Sequence, residues 1–413
     1  MKPNCKLKLR RHLACWSCLL LASLVLPGCW DARMINQLSF TSGVALDLAP
    51  SQLRSEEGAT GKNNGNLPEN PNRLQMTFEI IIPKIASGMP SGSSTAKPFT
   101  NITVTGDTLH ELTRRIALET NPIFAEHAKV ILISRKLAEQ VDFIKLLNVF
   151  YRDEGYRESC VIFLTDGDAK SVFSVKGNDI PTDTIMSIVD NQFRSTRVLP
   201  LLTLQKTMEK LTNDTSFVLQ SLNVYNGKLM FHSGAVIDGT TKRYTGNMGA
   251  LELQGLAWLH GKKTGGLVRI PEFEGKPSFV YEVKKMTSRI IPVVNGDQIS
   301  FRVQINSRGR ISEDWRPLQV TTSTTDTEQL LQDSRRDVER EIRLMTQKTL
   351  DLIQHQFETD IIGCGNELRI RYPQVWAKVK PNWKRTFAEA PITVDVSIDI
   401  EDFGLENMQL EKK

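Results

Sequence analysis

Helical and strand periodicities interleave along this 413-residue chain, and together they specify an α+β fold of several domains with mixed or antiparallel sheets and packed helices. In the first half, short apolar strands alternate with amphipathic helices. In the last third, a long helix, 327–358, stands between strands of strict two-residue alternation, and these stripes must bury against each other.

Residues 37–47 read as a strand, followed by a polar stretch, 50–73, too poor in apolar residues to order itself. Leu74, Met76, Phe78 and Ile80 then alternate with Gln75, Thr77 and Glu79, and a second loose loop, 87–98, leads to a strand through Ile102 and Val104. Two strands around a Gly/Ser loop predict a long hairpin. Thr108 caps a helix carrying Leu109, Leu112 and Ile116, which Asn121-Pro122 ends. A compact strand at 129–134, an amphipathic helix at 141–151 and a strand at 159–165 complete a first domain, 29–200.

A helical segment at 201–211 opens a small strand-rich domain, 201–266, with turn signals at Asn226-Gly227, Asp238-Gly239 and Thr245-Gly246 and a short helix at 252–259. The C-terminal domain, 267–413, is the clearest to read. Strands are expected at 278–289 and through Ile299, Phe301, Val303 and Ile305, and a last one through Ile392, Val394, Val396, Ile398 and Ile400. Leu331, Val338, Ile342, Met345 and Leu352 stripe the long helix, which is expected to cross this antiparallel sheet; Arg335, Arg336, Glu339, Arg340 and Arg343 stay in water.

The N-terminus has a different grammar. Lys2, Lys6, Lys8, Arg10 and Arg11 precede an apolar run, 13–26, and Leu26-Pro27-Gly28-Cys29 closes it. That is the build of a secretory signal peptide, 1–28, removed ahead of Cys29. A cysteine directly after the cut reads as a lipoprotein signal, with the thiol taking a thioether-linked diacylglycerol. Acyl chains contribute about 0.8 kcal/mol per buried methylene, so stable anchoring needs more than one. The plain alternative is a secreted protein with a stray cysteine. No other apolar stretch approaches the roughly 18 residues of a membrane span, so lipid would be the only anchor.

The leader also accounts for the charge. Its five basic and no acidic residues equal the net charge of +5, and the remainder of the chain is neutral. The basic footprint of a nucleic-acid binder is therefore missing. Of six cysteines, Cys5, Cys15 and Cys18 leave with the leader and Cys29 takes lipid; Cys160 and Cys364, in different domains, read as separate buried thiols.

Nothing demands catalysis. His110, His127, His232, His260 and His355 show no metal-ligand spacing, and His127 beside Glu126 reads as a hydrogen-bonded structural histidine. Gly261-Lys262-Lys263-Thr264 lacks the first glycine of a phosphate loop, and Asp166-Gly167-Asp168 lacks the remaining ligands of a calcium loop; both are turns. No Gly-x-Ser-x-Gly elbow occurs. No catalytic, metal-binding or cofactor-binding residue is assigned. Trp376 and Trp383, with Tyr372, Lys378, Lys380 and Lys384, fit either a headgroup or nucleic-acid surface or, preferably, an aromatic-anchored helix with solvated lysines.

Several stretches resemble, in order, the Ger(x)C-type spore germination lipoproteins: Cys29-Trp30-Asp31 with Asn36, Gly43-Val44-Ala45-Leu46-Asp47, Thr105-Gly106-Asp107-Thr108, His127-Ala128-Lys129-Val130 and Tyr151-Arg152-Asp153-Glu154. Leu256-Ala257-Trp258-Leu259 with Gly261-Lys262, and Asp360-Ile361-Ile362-Gly363-Cys364-Gly365 with Tyr372-Pro373, Trp376, Trp383 and Pro391-Ile392-Thr393-Val394, continue the match, while Met34 and Cys364 depart from it. The resemblance implies a non-enzymatic C subunit of a GerA-type nutrient germinant receptor. It implies N-palmitoyl, S-diacylglycerol modification of Cys29 and a place on the extracytoplasmic face of the inner spore membrane. The partners would be the integral-membrane A and B subunits, with no cofactor and no nucleic acid. A lipid-anchored solute-binding protein of a transporter is the alternative, but it would show two doubly wound lobes of parallel units. A surface hydrolase would need a nucleophile and base that the sequence does not offer.

Overall fold

The computed structural model describes residues 38–50, 73–83, 97–152, 155–175, 177, 179–261, 265–272, 278–315 and 324–401, with Trp16. The expected signal peptide apart from Trp16, Cys29-Trp30-Asp31, Asn36, Asp153-Glu154, 262–264 and most of the two polar loops lie outside the described residues. The chain divides into Met1–Leu38 and a larger unit, Ser39–Lys413, which holds every strand described.

The fold is α+β, with two sheets. The strands β1 (Ser39–Leu48), β2 (Leu74–Ile81), β3 (Phe99–Gly106), β4 (Ile123–Phe124), β5 (Val130–Ser134), β6 (Val161–Thr165), β7 (Phe217–Tyr225), β8 (Lys228–Asp238) and β9 (Arg243–Met248) form the first, ordered β3-β2-β1-β5-β6-β7-β8-β9 with β4 beside β1. β2 and β3 make the expected hairpin, pairing antiparallel from Leu74↔Gly106 to Ile81↔Phe99. β1, β5, β6 and β7 run parallel, and parallel neighbours need crossovers. Helices α1 (Leu109–Arg115), α2 (Arg135–Gln140), α3 (Phe143–Arg152), α4 (Pro181–Asp190) and α5 (Leu204–Thr212) lie in the connections.

The central strands β5 and β6 are buried at all five positions each, as strands covered on both faces must be. On one face Leu112, Leu137, Phe143, Leu147, Phe150 and Leu204 pack against Val44, Leu46, Ile131, Ile133, Ile162 and Leu164. On the other, Val172, Phe173, Ile185 and Val189 cover Ala45, Val130, Leu132 and Phe163.

The stretch 201–266, expected as a small middle domain, is divided between two cores. β7, β8 and β9 extend the first sheet, while helix α6 (Ala250–His260) puts Leu253, Leu256, Trp258 and Leu259 into the core of the second. Asn226-Gly227 is a left-handed turn, φ 50° and 75°, as its hairpin requires. Thr245-Gly246, expected as a turn, lies inside β9 instead. The glycine is there because a Cβ would overlap the Phe357 ring.

The second sheet is β10 (Leu267–Ile270), β11 (Phe279–Asn295), β12 (Gln298–Asp314) and β13 (Ile392–Ile400), in that order. β10, β11 and β12 are antiparallel, and β13 joins parallel to β12. That direction follows from the long helix α7 (Thr324–Asp351), which carries the chain back along the sheet before β13 begins. Val338 and Ile342 are buried, with Leu331, Met345 and Leu352 partly so. Of the residues expected in water, Arg336 and Arg343 are exposed but Arg335, Glu339 and Arg340 are half-buried. Glu339 Oε1 accepts the Ile398 N–H of β13 at 3.2 Å, giving the sheet's outer edge a partner. After a π-turn (Leu352–Gln356), helices α8 (Cys364–Arg371), α9 (Pro373–Val379) and α10 (Trp383–Glu389) close the domain.

Candidate functional site

Four carboxylates do the local organising, and each is held by donors that its position in the fold supplies. Asp47, at the end of β1, accepts Ala169 N at 2.7 Å and Lys170 N at 3.0 Å, which starts the short helical turn Ala169–Ser174. Burial pushes its carboxyl above the ordinary value, against the pull of those N–H groups. Glu79 of β2 accepts the Ser42 hydroxyl and is also raised by burial. Gly43 lets Thr182, Phe173 and Val130 close over β1, since a Cβ would sit 2.7, 2.8 and 2.9 Å from them. The Gly43–Asp47 motif therefore serves packing and turn formation.

Asp166, read from sequence as a turn residue, is a hub. Its carboxylate accepts Asn223 Nδ2 at 2.6 Å and Asn247 Nδ2 at 2.8 Å, with Arg135 at 3.5 Å. It ties the end of β6 to β7 and β9. At Thr108 the expected cap is made: its hydroxyl accepts Glu111 N at 3.2 Å, and Glu111 Oε2 accepts Asp107 N at 3.0 Å.

Asp360 organises the C-terminal motif. Oδ1 accepts Gly363 N at 2.8 Å and Cys364 N at 3.0 Å, and Oδ2 accepts Gly365 N at 2.7 Å and Trp383 Nε1 at 3.2 Å. Gly363 is left-handed, φ 93°. Trp383 meets Trp376 edge-on at 5.0 Å, and both pack on the second core. These tryptophans anchor helices, while Lys378, Lys380 and Lys384 are exposed.

The candidate chemical groups stay apart. His127 is exposed and lies against Phe40 and Phe124, so its role is aromatic packing rather than the hydrogen-bonded one expected. His260 shares a hydrogen bond with Ile361 O at 3.1 Å. Cys160 donates its thiol to Ala128 O at 2.8 Å and is pushed up to about 11 by burial; burial also pushes the Cys364 thiol well above its ordinary value. Neither is bonded to the other, and such thiols are poor nucleophiles. Among the described residues no group of three His, Cys, Asp or Glu is arranged to hold a metal ion, and no helix is long and apolar enough to cross a membrane. A groove of about 800 Å³ opens between α1 and α3, with Leu74, Leu109, Leu146 and Val149 on its walls and Arg114, Lys145, Arg152 and Arg243 around it. Asp142, which also lines it, is engaged in capping α3 through Lys145 N at 2.8 Å. Asp107 and His110 line it as well, and the Asp142 carboxylate also pairs with Lys145 at 3.4 Å. Sequence reasoning missed the groove because its lining comes from separate stretches.

Residues 31–224 match the spore germination protein N-terminal domain, and residues 232–404 match the spore germination B3/GerAC-like C-terminal model. The chain is 31% identical to spore germination protein YndF of Bacillus subtilis, over 97% of this chain and 98% of that one. Spore germination protein B3 of the same organism is 27% identical over 92% of this chain and 95% of its own. The crystal structure of the GerBC protein superposes with a TM-score of 0.57 at 22% identity, covering 90% of this chain and 99% of that one, which supports the fold. End-to-end likeness of this kind, through both family models, places the chain in the Ger(x)C family, the spore germination B3/GerAC-like proteins.

Proposed function

We propose that the chain is the lipid-anchored C subunit of a nutrient germinant receptor of spores, held on the extracytoplasmic face of the inner spore membrane beside integral-membrane A and B subunits. The observation that carries this is the nearly full-length likeness to proteins named for spore germination. The protein is non-catalytic in this reading: the Asp47 and Asp360 carboxylates are spent on backbone N–H groups and the Cys160 and Cys364 thiols are buried. Its contribution is coupling. A tether raises its effective concentration near the membrane subunits, and its surfaces stabilise one receptor state by binding the two states unequally.

The anchor is Cys29, acylated on sulfur and on the new amino terminus. β1 starts at Ser39, ten residues on. Cys29→Ala should abolish lipid labelling and release the protein from membrane or leave it unprocessed; a variant still anchored and functional overturns the anchor. Purification from spore membranes should recover two multi-span partners. The solute-binding alternative finds no support in the topology, because the first sheet has antiparallel strands at both ends and the second is mainly antiparallel.

A further inference from the structure

Residues 368–388 contain Arg369, Arg371, Lys378, Lys380, Lys384 and Arg385 and no acidic residue. All six cations are exposed, spread along α8, α9, α10 and the turn Lys380–Asn382 between the last two. The tryptophans of the same span turn inward, so the surface left to solvent is cationic. Ile370 and Tyr372 stand among the cations, 61% and 38% exposed. Glu367 and Glu389, which flank the span, approach Arg371 at 3.9 Å and Arg385 at 2.8 Å, and Glu358 approaches Lys384 at 3.8 Å. These three carboxylates offset part of the charge, and the six cations exceed them by three. Outside residues 1–28 the chain is neutral, so this excess is local.

A protein partner of fixed shape would call for cations converging on shared acceptors. Here they are dispersed over three short helices and a turn, beside an interfacial tyrosine and an exposed isoleucine, which suits a diffuse anionic surface. The geometry points to the α8–α10 face as an electrostatic contact for anionic phospholipid headgroups, a second membrane attachment beside the acyl tether. It deepens the anchored reading above: the tether supplies proximity, and the patch then sets which face of the C-terminal domain meets the membrane.

The test uses the chain from residue 29 on with Cys29→Ser, so that acylation plays no part and a failure leaves the Cys29 lipid-labelling result untouched. Co-sedimentation is measured with vesicles of phosphatidylcholine alone and of phosphatidylcholine with equimolar phosphatidylglycerol. Binding to the anionic vesicles only, weakening as salt is raised, is expected. Since each Lys or Arg near such a surface changes partitioning by about fivefold, the K378E/K380E variant should bind at least about tenfold more weakly. Its urea midpoint should be unchanged, and K206E, on the exposed face of α5, should bind like the parent. Equal binding to both vesicle types, no binding to either, or full binding by K378E/K380E would overturn the proposal. If vesicles are ignored while K378E/K380E prevents co-purification of the membrane subunits, the patch serves a protein and the proposal is likewise overturned.

Discussion

The indole N–H of Trp383 donates to Oδ2 of Asp360 at 3.2 Å, across 23 residues of chain. The same carboxylate collects the N–H groups of Gly363, Cys364 and Gly365, so one side chain starts α8 and fixes α10 against it. Gly365 is part of the same arrangement, because a Cβ there would meet Trp383 at 2.8 Å and Trp376 at 3.0 Å.

Asp360→Asn should therefore be far from conservative. Four donors converge on two oxygens, and an amide turns its own N–H₂ on one pair of them. The expected loss is about 2–4 kcal/mol, from stranded donors in an enclosed site, with Trp383→Phe losing about 1–3 kcal/mol. Urea unfolding followed by tryptophan fluorescence measures both; an Asp360→Asn midpoint equal to the parent would show that the carboxylate's hydrogen bonds are dispensable.

Alternation made β2 and β13 legible from sequence, since each has one face turned to a core and a two-residue period records it. The same logic exposed the stripe of α7. The Asp166 hub was invisible because its amide partners lie 57 and 81 residues away, beyond any local pattern. Gly246 misled for a related reason: glycine marks turns, yet here it marks a close approach by Phe357. Glu339 was expected in water, but the outer edge of a sheet needs acceptors for its N–H groups. What the sequence left unread is long-range pairing of polar groups, on which the candidate site depends.

Stability should rise, not fall, as pH is lowered from neutral through the raised folded values of the buried carboxyls. Asp47 and Glu79 both have carboxyl groups raised by burial. Between the unfolded value near 4 and the raised folded value, the native state binds more protons than the unfolded one, so the slope of stability against pH is negative there and flat above. Glu79→Gln removes one such group and should make the slope shallower. Urea midpoints across that range test it; a parent whose stability falls steadily on acidification from pH 7 contradicts the assignment.

Two glycines separate packing from flexibility. At Gly43 a methyl group would press on Thr182, Phe173 and Val130, whereas at Gly167 it would meet nothing within 4 Å. Gly43→Ala should cost about 1–3 kcal/mol through overpacking, while Gly167→Ala should be neutral or stabilise by up to about 1 kcal/mol by restricting the unfolded chain. Thermal or urea melts of the pair decide the matter, and equal effects would mean the layer over β1 yields freely.

Gly246 and Phe357 offer a test of whether the two sheets unfold together. Gly246 belongs to β9 of the first sheet, and Phe357 follows the π-turn after α7 and packs on the core of the second. Gly246→Ala drives a methyl into that ring, so it should destabilise by about 1–3 kcal/mol. Phe357→Leu opens space and should recover part of the loss in the double variant, giving a coupling energy of about 0.5–3 kcal/mol. Val218, Val236 and Met248 of the first sheet share a core with α6 and the second sheet, and Ser39–Lys413 forms one compact unit. The Gly246→Ala loss should therefore appear equally in a probe near Cys160 and in the fluorescence of Trp376 and Trp383, within one transition. Two separated transitions, with only one moved by the substitution, would show instead that the shared core does not couple the sheets.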